Sequence, residues 1–486
     1  MRPPKADRVY QRQAGHNMKS RLECDFMSGE ASMQTKYDVV VKDGLVIGPR
    51  RIRRVDVGIK AGEIASLAPG LGESDTTEVI DASGQYILPG LLDVHVHPVY
   101  VDTIADCSLL GAFGGITTMI HYAYARPGKG LADTVEKFID EGKETSYTDF
   151  AIHAAMFDPE NQIRDMEQCV EMGVNSFKMF MTYAKLGWMT DDYFLAKAMD
   201  VIAQLGGLAV VHAEDGLSID YLEDKYRNEP LKEAFLKMRP DALEADAVFR
   251  AISIAEVMDC PLYIAHISAA RGLDPIRTAR EKGQLIYTET CPQYLCLTDQ
   301  TLQEKGPLAK IGPPLRTAQD SAALWEGLKS GLIDVIASDH APKDKKIDDD
   351  FFEAPFGAPS SETMFPVVYQ RGINEGSLDL CTIIRALSET PAKIFGLYPR
   401  KGVISEGSDA DLVIFDPNRE HTITQASQHS NAPYTLYEGW KCLGIPHTIM
   451  QSGKIIVQGG EMKGKRGQGR FMPTEIKGQS DKKPYS

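Results

Sequence analysis

The stretch Leu91-Leu92-Asp93-Val94-His95-Val96-His97, directly after Pro89-Gly90, decides the fold. It is an apolar run of strand length that keeps its polar side chains for its far end. Successive strand residues face opposite ways, so His95 and His97, two apart, project to the same side. Before Pro89 the chain reads as short strands broken by tight turns: YDVVVKDGLVI (37–47), RVDVGIKAGEIASLA (54–68) and EVIDASGQYILPG (78–90).

After Pro89 the texture changes. Seven more apolar runs follow LLDVHVH: GITTMIHYA (115–123), FAIHAAM (150–156), VNSFKMFMTY (174–183), LAVVHAED (208–215), PLYIAHIS (261–268), LIYTETCP (285–292) and DVIASDHAP (334–342). Amphipathic helical segments lie between them, among them TVEKFIDEGKE (134–144), DAVFRAISIAEVMD (246–259) and SAALWEGLKSG (321–331). Strands that alternate with helices must run parallel, because each crossover returns the chain to the same edge. Eight such units predict an α/β fold, a (β/α)8 TIM barrel. Short strands return in ADLVIFDPN (410–418) and HTIMQSGKIIVQGG (447–460), so the two chain ends are expected to pair into a small β-sandwich outside the barrel. The expected division is a disordered extension over 1–34, the first part of the sandwich over 35–88, the barrel over 89–398, the second part of the sandwich over 399–465, and a mobile Lys-rich C-terminal arm over 466–486. Met33 is an alternative start.

The 486 residues carry a net charge of −15, and no basic stripe offsets it, which argues against nucleic acid or an anionic membrane as a partner. No stretch approaches the roughly 18 apolar residues of a membrane span, and the N-terminus has no apolar signal core. The eight cysteines form no CxxC pair, and Cys291 and Cys296 lack a matching second pair for zinc, so they read as reduced thiols. These features describe a cytoplasmic enzyme.

In a barrel the strand ends converge on one face, so residues far apart in sequence meet there. Five of the eight runs end in a metal ligand or an acid–base group: His95 and His97, Lys178, His212, His266 and Asp339. A lone histidine on an apolar strand is usually a core residue, but an HxH pair joined by ligands on other strands points to a metal centre. Lys178, between Phe177 and Met179, needs a reason to be buried. It either pairs with a buried acid or is carbamylated by CO2 to N6-carboxylysine, which can bridge two cations. Asp339 can ligate a metal and accept a proton from water. His340 beside it is expected to be structural. Tyr183, just past its strand, either packs at the junction or donates its hydroxyl to an oxyanion.

The motifs PGLLDVHVHP, GGITTMI, NSFKMFMTY, VHAEDG, YIAHIS, ETCPQYL, GPPLR and SDHAP, with the distal GLYPRKGVISEGSDADLVIFDP, resemble the dihydropyrimidinase/hydantoinase branch of the amidohydrolase superfamily from about Tyr37 to about Pro473. The resemblance implies two Zn2+ per chain, one on His95, His97 and Asp339, the other on His212 and His266, bridged by carboxylated Lys178 and a hydroxide. That hydroxide attacks the ring carbonyl of a cyclic ureide or imide. Asp339 carries the proton to the leaving nitrogen, and Tyr183 stabilises the oxyanion. A homotetramer or homodimer is also implied.

Four departures bear on specificity. Gly312 stands where the family has the Ser of SPPLR, and Phe356 where it has an Asn. Both positions are implied to bind substrate through the backbone. Asp215 replaces a common Asn, and the loop after His97 is short. Allantoinase-like chemistry on another amide or ureide stays open. Dihydroorotase normally shows an Arg shortly after its HxH, and HVHPVYVD has none. A collapsin-response-like scaffold would have no need of the intact ligand set. Nitrogen and oxygen ligands also accept manganese or cobalt.

Overall fold

The computed structural model describes residues 36–72, 75–376 and 378–476. The expected extension over 1–34 and the last part of the arm, 477–486, lie outside the described residues.

All eight predicted runs form strands of one parallel barrel: β1 (Leu91–Val96), β2 (Ile116–Ala125), β3 (Asp149–Met156), β4 (Ser176–Phe180), β5 (Leu208–His212), β6 (Leu262–Ile264), β7 (Ile286–Thr290) and β8 (Val335–Ile336). Each pairs with its neighbour in chain order. The ring closes just past β8: the His97 N–H donates to the His340 carbonyl at 2.9 Å, and the His340 N–H donates to the His95 carbonyl at 3.2 Å. Every residue of β1 to β5 is buried. Parallel strands covered on both faces read as continuous apolar runs for this reason.

Several outer helices bury one stripe, as Leu131–Thr145 shows. In Leu131–Thr145, Leu131, Val135, Ile139 and Gly142 face inward at three- and four-residue spacing. Gly142 is small because a Cβ there would sit 2.3 Å from the Phe150 ring.

The chain ends do meet. Strand Leu412–Thr422 pairs antiparallel with Tyr86–Pro89, inside a seven-stranded sheet that also holds Leu45–Ile47 and Lys441–Gln451. A separate four-stranded sheet contains only N-terminal strands, with Tyr37–Lys42 and Asp56–Lys60 at its centre. Side chains from both sheets, including Val41, Ile59, Ile87, Leu412 and Met450, share one apolar cluster.

The expectation of a mobile arm is corrected over its described part. Gly469 and Met472 are bonded to Ser146 and Phe150 through the backbone, and Thr474 to Gly173. Met472 and Ile476 are buried in a cluster with Val94, Ile120 and Phe395. The Lys-rich composition of the tail hid these anchors and a third, half-buried Phe471 against the Phe150 ring. Beside them, buried Lys401 donates to Asp149 and Asp411 at 2.6 Å each, and Arg470 bonds Asp149 and Asp409 at 2.6 Å. This ionic cluster ties barrel strand β3 to the outer sheet and the C-terminal segment.

Candidate active site

A cavity of about 310 Å3 opens over the C-terminal ends of the barrel strands. His95, His97, Lys178, Tyr183, His212, His266, Gly312, Asp339 and Phe356, the residues singled out in the sequence, all line it. β1 delivers the HxH pair, β4 delivers Lys178 and β5 ends on His212. Three others follow the end of a strand and sit in the left-handed backbone region: Tyr183 (φ 66°), His266 (φ 42°) and Asp339 (φ 49°). Such a φ costs a non-glycine residue about 1 kcal/mol or more, so the surrounding bonds must hold it.

The His95, His97 and Asp339 ligand atoms lie within 4.8 Å of one another. Asp339 Oδ1 is 3.1 Å from His97 Nε2 and 3.4 Å from His95 Nε2. His212 and His266 form a second pair, with ring centroids 4.4 Å apart, and His266 is 5.3 Å from His95. Lys178 is fully buried. Its Nζ lies 5.3 Å from the Tyr122 ring centroid and 5.5 Å from that of Phe180. Among the described residues, Lys178 Nζ, His95 Nε2 and His266 Nδ1 have no hydrogen-bond partner. Buried polar atoms are normally paired, so three orphans in one cavity call for a ligand.

Three of the imidazoles are tied by one nitrogen. His95 Nδ1 bonds Glu289 at 2.7 Å, His97 Nδ1 bonds the Tyr124 hydroxyl at 2.8 Å, and His212 Nε2 bonds Glu214 at 2.7 Å. Such outer bonds set ring orientation and tautomer in metal sites. The supports are themselves held: Glu289 accepts from the Tyr263 hydroxyl and the His266 N–H, and Glu214 from Arg239 at 2.7 Å. Burial holds all four imidazoles below the ordinary histidine range, hence neutral near pH 7, the form that ligates a metal. Burial also pushes Lys178 down to about 8, with Glu289 and Asp339 opposing it. Burial alone would raise the Asp339 carboxyl, but His95 and His97 outweigh it and hold it below the usual range. The donor set, its neutral imidazoles and its orphaned atoms therefore fit divalent metal.

His340 is structural, as its position suggested. Its Nε2 lies 3.0 Å from Asp102, and its Nδ1 accepts the Ser360 and Ser361 N–H groups. Asp215 caps the helix Gly216–Tyr226 by accepting the Ser218 N–H. Gly312 and Phe356 match as a pair: a Cβ at 312 would lie 3.1 Å from the Tyr183 hydroxyl and 3.2 Å from the Phe356 ring. Sequence reasoning missed Glu289, Glu214, Tyr124 and Arg239. A glutamate inside LIYTETCP, on an otherwise buried strand, was the available signal for the first; Arg239 sits in a stretch of ordinary helical polarity and gave none.

Fold and site together define a barrel of hydrolase type with a ligand group that could hold a metal. The amidohydrolase family model matches residues 86–456, and the chain belongs to that family. It is 36% identical to the D-hydantoinase of Ralstonia pickettii, over 90% of this chain and 98% of that one. A solved D-hydantoinase superposes with a TM-score of 0.86 at 34% identity, covering 90% of this chain and 99% of that one. The dihydropyrimidinase of Brevibacillus agri does so at 0.86 and 31%, covering 90% and 98%. Within the family the chain falls in the hydantoinase/dihydropyrimidinase branch.

Proposed function

We propose that this protein opens the amide bond of a cyclic ureide or imide, of dihydropyrimidine or hydantoin type, at a two-zinc centre. The observation that carries this reading is the cavity itself: buried neutral imidazoles braced from behind, around a buried lysine with no partner among the described residues. In this reading His95, His97 and Asp339 hold one zinc and His212 and His266 the other. The Lys178 amine would add to CO2, losing one proton, and the resulting carbamate would supply a further anionic oxygen donor to the metal. Bound zinc supplies Lewis acidity toward a carbonyl and lowers the pKa of water. Asp339 takes the proton of the attacking water and returns it to the leaving nitrogen. The Tyr183 hydroxyl donates to the oxyanion, and the backbone at Gly312 and Phe356 holds the ring amide. A homotetramer or homodimer and a cytoplasmic location belong to the same proposal and rest on the resemblance; light scattering tests the first.

The test is a spectrophotometric panel of dihydrouracil, hydantoins, cyclic imides, allantoin and dihydroorotate on zinc-loaded protein, with zinc counted per chain. Ring opening with close to two zinc ions per chain is expected. Metal-free protein that stays inactive after zinc addition would overturn the proposal and favour a scaffold.

A further inference from the structure

Besides the ligand residues, the cavity is walled by Tyr100, Tyr124, Trp188 and Lys343. Lys343, in the loop after β8, places its ammonium over the Tyr100 ring. Arg126, the first residue after β2, lays its guanidinium 4.6 Å from the Trp188 ring centroid and 5.2 Å from that of Tyr124. Among the described residues neither side chain has a carboxylate partner. The charges that act on Lys343 are Lys345 and Arg126, which repel it, and Asp339, already engaged by two histidines. Its neighbour Lys345 differs, because it donates to the Leu308 and Lys310 carbonyls at 3.1 and 3.2 Å. Burial, with Lys345 and Arg126, pushes Lys343 down to about 6, so on its own it is mostly neutral near pH 7, and a bound carboxylate would hold its proton on.

We propose that the cyclic amide opened here carries a carboxylate substituent, received by Lys343 and Arg126 on this aromatic shelf. The inference rests on the ring-opening reading of the site. An arginine fork takes a carboxylate through two parallel hydrogen bonds and a lysine adds a point charge, and charge-assisted bonds are about twice as strong as neutral ones. The missing arginine after His97 counted against a carboxylated ring such as dihydroorotate. Lys343 lines the cavity instead, and Arg126 stands against Trp188 and Tyr124, two of its wall residues.

The experiment compares hydantoin-5-acetate and hydantoin-5-propionate with neutral 5-alkyl hydantoins of matching length, in wild type, Lys343→Met, Lys343→Arg and Arg126→Gln. The carboxylated rings should have kcat/KM about tenfold or more above the neutral ones. That ratio should collapse in Lys343→Met and Arg126→Gln and persist in Lys343→Arg. Neutral rings opened equally well, or a ratio unmoved by Lys343→Met, overturns the inference while leaving the ring-opening reading intact. If no ring of either kind is opened, the ring-opening reading fails. Calorimetric binding of hydantoin-5-acetate then decides the shelf separately: binding weakened by Lys343→Met supports it, and equal binding overturns it.

Discussion

In the proposed reaction Lys178 is the residue on which the chemistry turns. Its burial leaves an amine that is easily deprotonated, the form that reacts with CO2, and no described residue bonds it. Lys178→Ala should lose bound zinc and activity together, and a short carboxylic acid added to the variant should restore part of both. Full activity in the untreated variant would sink the bridging role. Asp339→Asn keeps the shape and removes the base, so kcat should fall by about 10²–10⁴, with the far-ultraviolet spectrum unchanged. A loss of less than threefold would deny Asp339 the proton. Both residues were legible in the sequence because a charge on an apolar strand has no cheap alternative. Lys343 and Arg126 were not, because a cation in a loop next to a strand ordinarily faces water. Only the fold shows that Lys343 lines the cavity and that Arg126 stacks on its aromatic wall.

At the scale of elements, all eight barrel strands were legible because burial on both faces leaves an apolar run of fixed length. Their ends were less so: β6 stops at Ile264 and β8 at Ile336, short of the left-handed residues His266 and Asp339, and a φ angle leaves no mark in composition. The Lys401 cluster is another feature no periodicity reveals, since Lys401, Asp149, Asp411 and Arg470 are far apart in sequence. Removing one partner of a buried charge set leaves the others uncompensated, so Lys401→Met should cost about 3–5 kcal/mol in urea unfolding. A loss below about 1 kcal/mol would show the aspartates to be satisfied without it. The pH dependence follows from the same cluster. Burial would raise the Asp149 and Asp409 carboxyls, but Lys401 and Arg470 together hold them below the usual range. Their contribution is therefore full above about pH 4, the unfolded value, and is lost as pH falls through the folded values. Burial would lower Lys401, but Asp411, Asp149 and Asp409 raise it, so its contribution is full below about pH 10.5 and lost as pH rises through its folded value. Asp411, raised first by burial, offsets part of the acid-side gain. Wild type should lose stability on acidification toward pH 3 more steeply than Lys401→Met; parallel curves would remove the cluster from the account.

For the whole molecule, a metal held at the proposed centre would also be a folding ligand. A group bound only by the native state stabilises it in proportion to the logarithm of its concentration over Kd. Stripping zinc with a chelator should lower the Tm by several degrees, and zinc should restore it, less so in His95→Ala. A Tm indifferent to chelation would mean that the cavity holds its shape without any ion. The pairing of the chain ends was legible as two matching strand textures, whereas the anchoring of the C-terminal segment was not, because its buried Met472 and Ile476 and half-buried Phe471 are scattered among polar residues. The pairing of Tyr86–Pro89 with Leu412–Thr422 also bears on synthesis. The early strand leaves the ribosome with its edge open, and its partner is made more than three hundred residues later. At about 5–20 residues per second that is a wait of roughly tens of seconds. Throughout that time an unpaired apolar edge is available to any neighbouring nascent chain. Overexpression yield of this protein should therefore respond more to translation rate and holdase supply than to the stability of the finished barrel.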